Sequence, residues 1–470
     1  MTRTIKADLC IIGAGSGGLS VAAGAAMLGH KVVLIEKGEM GGDCLNTGCV
    51  PSKALLAAGA RAQAMRDAGK FGVKGVEPEI DFAAVMDHVH GVIEEIAPID
   101  SQERFEGLGV TVLREHATFT APRAVKAGET TVKAKHFVIA TGSRPFIPPI
   151  SGLEDVPYFT NESIFNNRVR PDHLIVIGGG PIGVEMAQAH ARLGAKVTII
   201  ESGRILGRED PELVEIVRAR LVKEGVEIVE DAKATRIEKS DSGINISIGA
   251  REITGSHLLV AVGRRPVVDG LNLEAANIEY DEKGLKTNNS LKTTNSRIYA
   301  AGDVAGGRQF THVAGYHASV LIRKILFKLP SRNDEHLAPR VTYCDPELAH
   351  VGLTEAEARK AHGDVKVARW PFTKNDRAEA ERDTQGCVKV VTDKKGRILG
   401  ASIVGHGAGD LIAPWILALS SKLKIRDFTG MIAPYPTRSE ASKRAAGDWY
   451  GDKLFSPGAR RLISLLSIFD

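Results

Sequence analysis

The stretch Leu9-Cys10-Ile11-Ile12-Gly13-Ala14-Gly15-Ser16-Gly17-Gly18 decides the fold, because the chain repeats its pattern once. The second copy is Leu174-Ile175-Val176-Ile177-Gly178-Gly179-Gly180-Pro181-Ile182-Gly183, and the two copies align without a gap. In each copy a short apolar run predicts a buried strand, and the glycines predict a turn into a helix. The agreement continues to Glu36 and Glu201, which end the next apolar runs. Such a repeat predicts one structural unit built twice, and we call residues 9–36 motif 1 and residues 174–201 motif 2.

The glycine spacing of both motifs is typical of a dinucleotide-binding unit. Its first glycine makes a tight turn, its second lets the backbone approach a pyrophosphate, and its third allows close helix–strand packing. The acidic residue can accept hydrogen bonds from a ribose and repels a 2′-phosphate, although Arg204 and Arg208 follow motif 2 closely. Two motifs predict two bound dinucleotides. The predicted binding residues are Gly13, Gly15, Gly18 and Glu36 in motif 1 and Gly178, Gly180, Gly183 and Glu201 in motif 2.

Composition excludes several classes of protein. The 470 residues carry 61 Lys and Arg against 57 Asp and Glu, and a net charge of only +4 disfavours a nucleic-acid binder. The uncharged run from Leu9 to Gly29 resembles a signal peptide or a membrane span, but motif 1 explains its six glycines better. Five cysteines are too few for a secreted disulfide scaffold, so we expect a cytoplasmic protein.

Two of the cysteines, Cys44 and Cys49, lie just after motif 1. Five residues of regular helix rise about 7.5 Å, which exceeds the usual Cα separation across a disulfide. A bond between these cysteines therefore needs a distorted turn, for which Gly48 and Pro51 provide the means. A redox role suits such a small loop better than a structural one. The alternatives are a metal site and two unrelated buried thiols, and we expect no bound metal.

The segment Cys44-Leu45-Asn46-Thr47-Gly48-Cys49-Val50-Pro51-Ser52-Lys53 resembles the redox-active motif of the class I pyridine nucleotide–disulfide oxidoreductases. This family includes dihydrolipoyl dehydrogenase, glutathione reductase and mercuric reductase, and the resemblance covers essentially the whole chain. Other segments resemble the two domain crossovers, the second FAD motif and the start of the dimerisation domain. They are, in that order, Ala140–Pro145, Val260–Pro266, Ile298–Asp303 and Pro346–Glu355.

The resemblance implies an α/β fold with two Rossmann-like dinucleotide-binding domains and a C-terminal α+β dimerisation domain. The FAD-binding domain is expected at residues 1–150 and 273–337, and the NAD-binding domain at residues 151–272. The dimerisation domain is expected at residues 338–470, with an extra helical tail. The resemblance also implies a homodimer, in which the cysteine pair of one subunit faces the C-terminal segment of the other.

The same resemblance implies that electrons pass from NADH through FAD and the cysteine pair to an acceptor. Cys49 matches the thiol that lies against the flavin, and Cys44 matches the thiol that attacks the substrate. Lys53 matches a positive charge beside the flavin, and Glu185 matches its ion-pair partner near the nicotinamide. The resemblance assigns further cofactor-binding roles to Gly42, Thr141, Gly142, Asp303, Thr311 and His312 near FAD and to Gly263 at the second crossover.

The segment Tyr435-Pro436-Thr437-Arg438-Ser439-Glu440 departs from the pattern of the family. Members that act on dithiols carry a His-Pro-Thr-x-x-Glu segment here, in which the His moves the proton of the substrate thiol. Glu440 is in place, but Tyr435 replaces the His, and a phenol is a poor base at neutral pH. Mercuric reductases resemble this chain in having a Tyr near this place. They also carry a C-terminal cysteine pair, whereas no cysteine follows Cys387 here.

The predicted activity is that of an FAD-dependent NAD(H):disulfide or dithiol oxidoreductase similar to dihydrolipoyl dehydrogenase. Its expected partner is a small-molecule or protein-bound disulfide or dithiol. One alternative is a metal-ion or quinone reductase similar to mercuric reductase. The other is a redox-sensing flavoprotein, which steady NADH turnover would exclude.

The tail after Glu440 predicts one more helix. Ser456 followed by Pro457 is typical of a helix start, and apolar residues then recur at helical spacing. They are Leu462, Leu465, Leu466 and Phe469. We expect this helix to pack on the dimer, and the alternative is a peripheral contact with a membrane or a partner protein.

Overall fold

The structure is a computed structural model that describes residues 3–241 and 243–468. Its strands are β1 (Arg3–Ile12), β2 (Val32–Ile35), β3 (Thr111–Leu113), β4 (Ala117–Ala121), β5 (Ala124–Ala127), β6 (Thr130–Ile139), β7 (Ser143–Pro145), β8 (His173–Ile177), β9 (Lys196–Ile200), β10 (Glu227–Val229), β11 (Ala234–Ser240), β12 (Gly243–Ile248), β13 (Arg251–Gly255), β14 (His257–Val260), β15 (Arg264–Pro266), β16 (Tyr280–Asp281), β17 (Gly284–Leu285), β18 (Ile298–Ala300), β19 (Arg340–Thr342), β20 (Glu347–Gly352), β21 (Lys366–Pro371), β22 (Cys387–Thr392) and β23 (Ile398–Gly405).

The α-helices of the described residues are α1 (Ser16–Met27), α2 (Gly42–Asn46), α3 (Cys49–Asp67), α4 (Phe82–Asp100), α5 (Gln102–Gly107), α6 (Pro181–Arg192), α7 (Pro211–Lys223), α8 (Thr311–Ile325), α9 (Glu355–His362), α10 (Asp376–Ala380), α11 (Ala408–Leu411), α12 (Ala413–Ser420), α13 (Ile425–Thr429), α14 (Glu440–Asp448), α15 (Gly451–Leu454) and α16 (Pro457–Leu466).

The chain divides into two compact bodies. The described part of the larger body comprises residues 3–67, 75–202 and 228–335, with residue 242 aside. The described part of the smaller body comprises residues 68–74, 203–227 and 336–468. The division of residues 1–337 into FAD-binding and NAD-binding domains stays a prediction.

The main sheet of the larger body contains motif 1. Strands β3, β2, β1 and β6 run parallel, β18 joins the end of β6, and β5 and β4 continue the sheet in antiparallel pairing. Alternate residues of β1 enter two separate cores, because both faces of the sheet are covered: Cys10 and Ile12 pack on one side, Leu9 and Ile11 on the other.

A four-stranded sheet, in the order β10-β9-β8-β14, contains motif 2, and its strands β9, β8 and β14 run parallel. The registers of the two sheets correspond, since Ile12 is paired with Ile35 and Ile177 with Ile200 at the carboxyl ends of the strands. The prediction of one unit built twice is therefore confirmed. Strands β7 and β15, which belong to the two predicted crossover segments, pair with each other in antiparallel fashion.

The smaller body is built on an antiparallel sheet in the order β19-β20-β23-β22-β21. Trp415 of α12 stacks on Phe428 of α13 at 3.8 Å between ring centroids, and both rings lie in the core beside the sheet. Lys389 of β22 is buried among carboxylates, because a buried ammonium group needs compensating charge. Its Nζ atom lies 2.6 Å from Asp210 and 2.9 Å from Glu355.

The predicted tail helix is present as α16. Ser456 caps it by accepting a hydrogen bond from the N–H of Ala459 at 3.2 Å. Leu462, Leu465 and Leu466 are exposed, and Phe469 lies outside the described residues. In the part of the chain that the structure describes, no helix is both long and apolar enough to cross a membrane.

Candidate active site

The first glycines of the two motifs adopt the same strained turn. Gly13 has a φ of 106° and Gly178 a φ of 112°, a conformation that L side chains rarely adopt. A Cβ atom on Gly13 would lie 2.3 Å from the carbonyl oxygen of Ala140, and one on Gly178 would lie 2.4 Å from that of Ala261. Both turns therefore require glycine for two reasons, its backbone conformation and its lack of a side chain.

The third glycines hold each helix against its strand. A Cβ atom on Gly18 would lie 1.9 Å from the carbonyl oxygen of Gly13, and one on Gly183 would lie 1.9 Å from that of Gly178. A side chain at either place would force the helix away from the turn. This matches the packing role that the glycine spacing predicts.

The second glycines, by contrast, border open space at the helix N-termini. Gly15 precedes α1 and Gly180 precedes α6. A Cβ atom on Gly15 would approach only the Cα of Gly42, at 3.9 Å, and one on Gly180 would meet no described atom within 4 Å. Free N–H groups and open space at a helix N-terminus fit a pyrophosphate.

The two acidic residues are held in equivalent ways. A carboxylate oxygen of Glu36 accepts the N–H of Ala14 at 2.6 Å, and one of Glu201 accepts the N–H of Gly179 at 2.6 Å. Each carboxylate is thus fixed beside its glycine turn, and its oxygens keep acceptor capacity for ribose hydroxyls. The residues present fit a dinucleotide at each motif.

The two cysteines lie on either side of a break between two helices. Cys44 belongs to α2, Cys49 opens α3, and the intervening Thr47 has a φ of −141°, far from helical. A Cβ atom on Gly48 would lie 2.8 Å from the carbonyl oxygen of Asp43, so the break requires a small residue. The expected distorted turn is therefore present, and it brings two free thiols into hydrogen-bonding contact.

The two thiols have opposite electrostatic character. The hydrogen bond from Cys44, helped by Thr311 and by the positive charge of Lys53, lowers the pKa of Cys49 to about 6. The same hydrogen bond, together with burial, raises the pKa of Cys44. The sulfur of Cys49 lies 3.3 Å from the hydroxyl oxygen of Thr311. Near neutral pH the reduced pair therefore holds a Cys49 thiolate and a Cys44 thiol.

Lys53 and Glu185, predicted from separate segments, form an ion pair. The Nζ atom of Lys53 lies 2.9 Å from a carboxylate oxygen of Glu185. Only 6 % of the Glu185 side chain is exposed, and burial strengthens such a charge-assisted bond. Helix α3, which carries Cys49, is thereby tied to α6 of motif 2.

Asp303 is held at the end of a polar chain that runs through both crossover segments. Its carboxylate accepts a hydrogen bond from the hydroxyl of Ser143 at 2.5 Å. The hydroxyl oxygen of Ser143 in turn accepts a hydrogen bond from the guanidinium of Arg264 at 2.7 Å. Arg264 also contacts Asn161 and Asp43, so the chain reaches the cysteine loop. Burial raises the pKa of Asp303. Asn161 was not predicted as a site residue, and its sequence context contains no signal for this role.

The other residues predicted to bind cofactors have contacts of their own. Thr141 donates its hydroxyl to the carbonyl oxygen of Val267 at 2.6 Å, and Gly142 and Gly263 have φ values of 66° and 142°. The ring of His312 stacks on Phe310 at 5.1 Å. Gly42 opens α2 beside Gly15, where a Cβ atom would lie 2.7 Å from the Cα of Gly15.

In the smaller body, Tyr435 and Glu440 have different partners from each other. The Tyr435 hydroxyl donates to Asp376 at 2.7 Å, and this hydrogen bond raises the pKa of the phenol. Glu440 lies 2.7 Å from Arg444 in an ion pair on α14. Asp376 was missed by the sequence analysis, because 59 residues separate it from Tyr435. Within the described segment Ile432–Glu440 there is no histidine that could act as a base.

Residues 7–318 match the family described as pyridine nucleotide-disulphide oxidoreductase, and residues 338–446 match its dimerisation domain. The chain belongs to the class I pyridine nucleotide–disulfide oxidoreductase family. A mercuric reductase of Lysinibacillus sphaericus is 36 % identical, over 93 % of this chain and 82 % of the relative. A dihydrolipoyl dehydrogenase of Thermus scotoductus is 38 % identical, over 93 % of this chain and 96 % of the relative.

Solved structures of this oxidoreductase family agree with the fold. The Cu(II) complex of the HOCl-induced flavoprotein disulfide reductase RclA from Escherichia coli is 27 % identical, with a TM-score of 0.84 over 93 % of this chain and 99 % of that one. LpdA from Mycobacterium tuberculosis is 24 % identical, with a TM-score of 0.87 over 94 % of this chain and 99 % of that one, and supports the fold alone.

The protein is therefore an FAD-dependent pyridine nucleotide–disulfide oxidoreductase, and its family uses FAD and NAD(P). Bound FAD supplies the exchange of a hydride with the nicotinamide for two electrons on a thiol pair. The dimerisation domain supports a homodimer. The relatives include proteins named mercuric reductase and proteins named dihydrolipoyl dehydrogenase, which correspond to the metal-ion and dithiol activities predicted as alternatives.

Proposed function

We propose that this oxidoreductase uses NADH to reduce a thiophilic metal ion of the type of Hg(II) or Cu(II), bound by Cys44 and Cys49. One observation carries the proposal: Tyr435 stands where the dithiol enzymes have their histidine, and its hydroxyl donates a hydrogen bond to Asp376 at 2.7 Å. Its raised pKa makes this phenol an even weaker proton donor near neutral pH. An acceptor that needs no proton from the protein suits this site.

The chemistry of the two acceptor classes differs in its protons. Thiolates are strong ligands for soft metals. When Cys44 and Cys49 form their sulfur–sulfur bond, the two electrons released reduce Hg(II) to Hg(0) or two Cu(II) to two Cu(I). NADH restores the dithiol and leaves as NAD⁺. Reduction of an organic disulfide instead requires a proton on each departing sulfur, and a positioned acid contributes about 10²- to 10⁴-fold to such a transfer.

The relatives support the proposal without deciding it. Proteins named mercuric reductase are 34–36 % identical to this chain, and an RclA structure is described as a Cu(II) complex. Dihydrolipoyl dehydrogenases are equally similar, at 34–38 % identity. The acceptor site, and not overall similarity, separates the two classes here.

The test is anaerobic NADH oxidation by the purified holoenzyme with four acceptors in turn. They are Hg(II) as its bis-cysteine complex, Cu(II), lipoamide and glutathione disulfide. We expect a metal to be reduced with the highest kcat/KM, and Cys44→Ser to lose that activity. Lipoamide turnover faster than that of either metal would refute the metal proposal and leave the family assignment intact.

We also propose NADH as the donor, because the carboxylate of Glu201 is fixed beside the turn of motif 2. A 2′-phosphate of NADPH would meet that negative charge. The cytoplasmic location stays a prediction.

For the tail, we propose that α16 rests on an anionic lipid surface. Leu462, Ile463, Leu465 and Leu466 are each more than half exposed, on one side of the helix. Arg460 and Arg461 precede them and border this apolar side, and the helix contains no carboxylate. Apolar residues bordered by cations are typical of a helix in the headgroup region of a membrane.

Flotation of the holoenzyme with vesicles tests this role of the tail. We expect binding to vesicles that contain phosphatidylglycerol, loss of binding in the double variant Leu462→Ser and Leu465→Ser, and weaker binding in high salt. The same variant should remain a dimer by light scattering. No binding of the wild type, or a variant that becomes monomeric, would refute the lipid contact and favour packing on the second subunit.

A further inference from the structure

The strongest unexplained group in the larger body is the buried histidine of α8. His317 is fully buried, and both of its ring nitrogens have partners. Its Nδ1 atom lies 3.1 Å from the backbone nitrogen of Gly302, and its Nε2 atom lies 3.0 Å from a carboxylate oxygen of Glu335. A backbone N–H only donates, so Nδ1 must accept and the ring proton must be on Nε2. That proton is then donated to Glu335.

The group that His317 holds is next to the carboxylate proposed to hold FAD. Gly302 opens a single 3₁₀ turn, Gly302–Ala305, directly after β18. Asp303 is the second residue of that turn, and its side chain is fixed by Ser143. The hydrogen bond from the backbone N–H of Gly302 to the imidazole of His317 therefore fixes the start of the turn, and with it the backbone position of Asp303.

Glu335 holds the far end of the same loop. It accepts the side-chain amide of Asn333 at 3.2 Å and the backbone N–H of Arg308. It also lies against Gly307, where a Cβ atom would approach its Oε1 atom to 1.9 Å. These hydrogen bonds, with that of His317, lower the pKa of Glu335 although burial opposes them. One His–Glu pair thus fastens both ends of the loop that carries Asp303.

We propose that His317, oriented by Glu335, is a positioning residue for FAD: it fixes Gly302 and thereby the Asp303 carboxylate. The proposal rests on the role of Asp303 in FAD binding, and it is independent of the metal ion proposed as acceptor. FAD retention would then depend on the hydrogen bond to Gly302 and not on the size of the imidazole ring. A side chain with a hydrogen-bond acceptor at the position of Nδ1 should therefore perform the role of the histidine.

The test measures the rate at which holoenzyme releases FAD, followed by the rise of flavin fluorescence after dilution. Three variants separate the contacts: His317→Asn keeps an acceptor near Nδ1, His317→Gln keeps a donor near Nε2, and His317→Leu keeps neither. A buried N–H left without a partner is costly, so we expect FAD release to be at least about tenfold faster in His317→Leu and His317→Gln. Release from His317→Asn should stay within about threefold of the wild type.

The matched control is His350→Leu in the smaller body. His350 is equally buried, and both of its ring nitrogens are bonded, to Ser402 at 2.7 Å and to the carbonyl oxygen of Gly352 at 3.0 Å. The His350→Leu variant should be less stable than the wild type, but it should release FAD no faster at temperatures where circular dichroism shows no unfolding. If His317→Leu does not fold, the Asn and Gln variants decide the question alone.

Two results would overturn the proposal: wild-type release from both the Leu and Gln variants, or release from His317→Asn as fast as from His317→Gln. Asp303→Asn reports separately on the carboxylate. Wild-type FAD release from that variant would refute the role of Asp303, whereas fast release from it with slow release from His317→Gln would refute only the role of His317.

Discussion

The sulfur of Cys49 lies 3.3 Å from the hydroxyl oxygen of Thr311, the residue that opens helix α8. This contact joins the end of the cysteine loop to a segment 262 residues further along the chain. It helps to hold one thiol of the pair as a thiolate while the other thiol stays protonated. The different protonation states of the two cysteines therefore have a structural cause.

The reduced enzyme should contain one thiolate that titrates near pH 6, because the pKa of Cys49 is lowered to about 6. The ordinary pKa is higher, so the folded state favours the thiolate. The resulting stabilisation is complete above the ordinary thiol pKa and is lost as the pH falls through about 6. Thiolate absorbance against pH measures this, and Cys49→Ser should remove the titration.

Removal of the groups that stabilise the thiolate should move its pKa upward. Thr311→Val and Lys53→Met each delete a group that favours the charged form. Lys126→Met, at an exposed lysine of β5, is the matched control and should leave the titration in place. A pKa unchanged by the first two variants would show that Cys44 alone sets the charge of Cys49.

The two glutamates at the ends of the motifs should affect different cofactors. Glu201→Ala should narrow the ratio of kcat/KM for NADH over NADPH, because it removes the charge that faces a 2′-phosphate. Glu36→Ala, the equivalent change in motif 1, should weaken FAD binding and leave that ratio as it is. Equal rates of the wild type with NADH and NADPH would contradict the assignment of Glu201.

Substitutions at two glycines of motif 2 should have different effects, one on protein stability and the other on NADH binding. Gly183→Ala places a Cβ atom 1.9 Å from a backbone oxygen, so we expect a loss of about 2 kcal/mol in the free energy of unfolding. Gly180→Ala meets no described atom within 4 Å and should leave stability nearly unchanged. It should nevertheless raise the KM for NADH, because the new methyl group faces the expected pyrophosphate. Thermal unfolding and NADH titration together check both statements, and a normal KM in Gly180→Ala would place the pyrophosphate elsewhere.

Several features of the fold and of the candidate site can be predicted from the sequence, because they depend on residues close together in the chain. The strand–turn–helix of motif 1 depends on glycines within six positions, from Gly13 to Gly18, and motif 2 repeats the spacing. The break between α2 and α3 likewise follows from Gly48, which lies between the two cysteines. Local chemistry of this kind is visible in a single sequence.

The missing parts are contacts between distant segments. Asp376 meets Tyr435 across 59 residues, and Asn161 meets Asp43 across 118 residues. The sequence spacing of these polar residues does not predict their contacts. His317 and Glu335 are only 18 residues apart, yet their link depends on a loop between them that has no periodic pattern. Sequence reasoning therefore predicted the motifs and missed the polar residues that orient them.

We propose an acceptor site that lacks a proton-transfer group, and the variant Tyr435→His tests this proposal. A histidine beside Asp376 and Glu440 would provide the base of the dithiol enzymes, and such a group contributes about 10²- to 10⁴-fold. The matched control is Tyr280→His, because the Tyr280 hydroxyl also donates to a carboxylate, that of Glu274 at 2.8 Å.

The decisive measurement is the kcat/KM for lipoamide in these two variants and in the wild type. We predict a rise of at least about tenfold in Tyr435→His and no rise in Tyr280→His. If the wild type turns over lipoamide rapidly and Tyr435→His slows that turnover, the metal-ion proposal is wrong, because Tyr435 itself would then be the group that moves the proton.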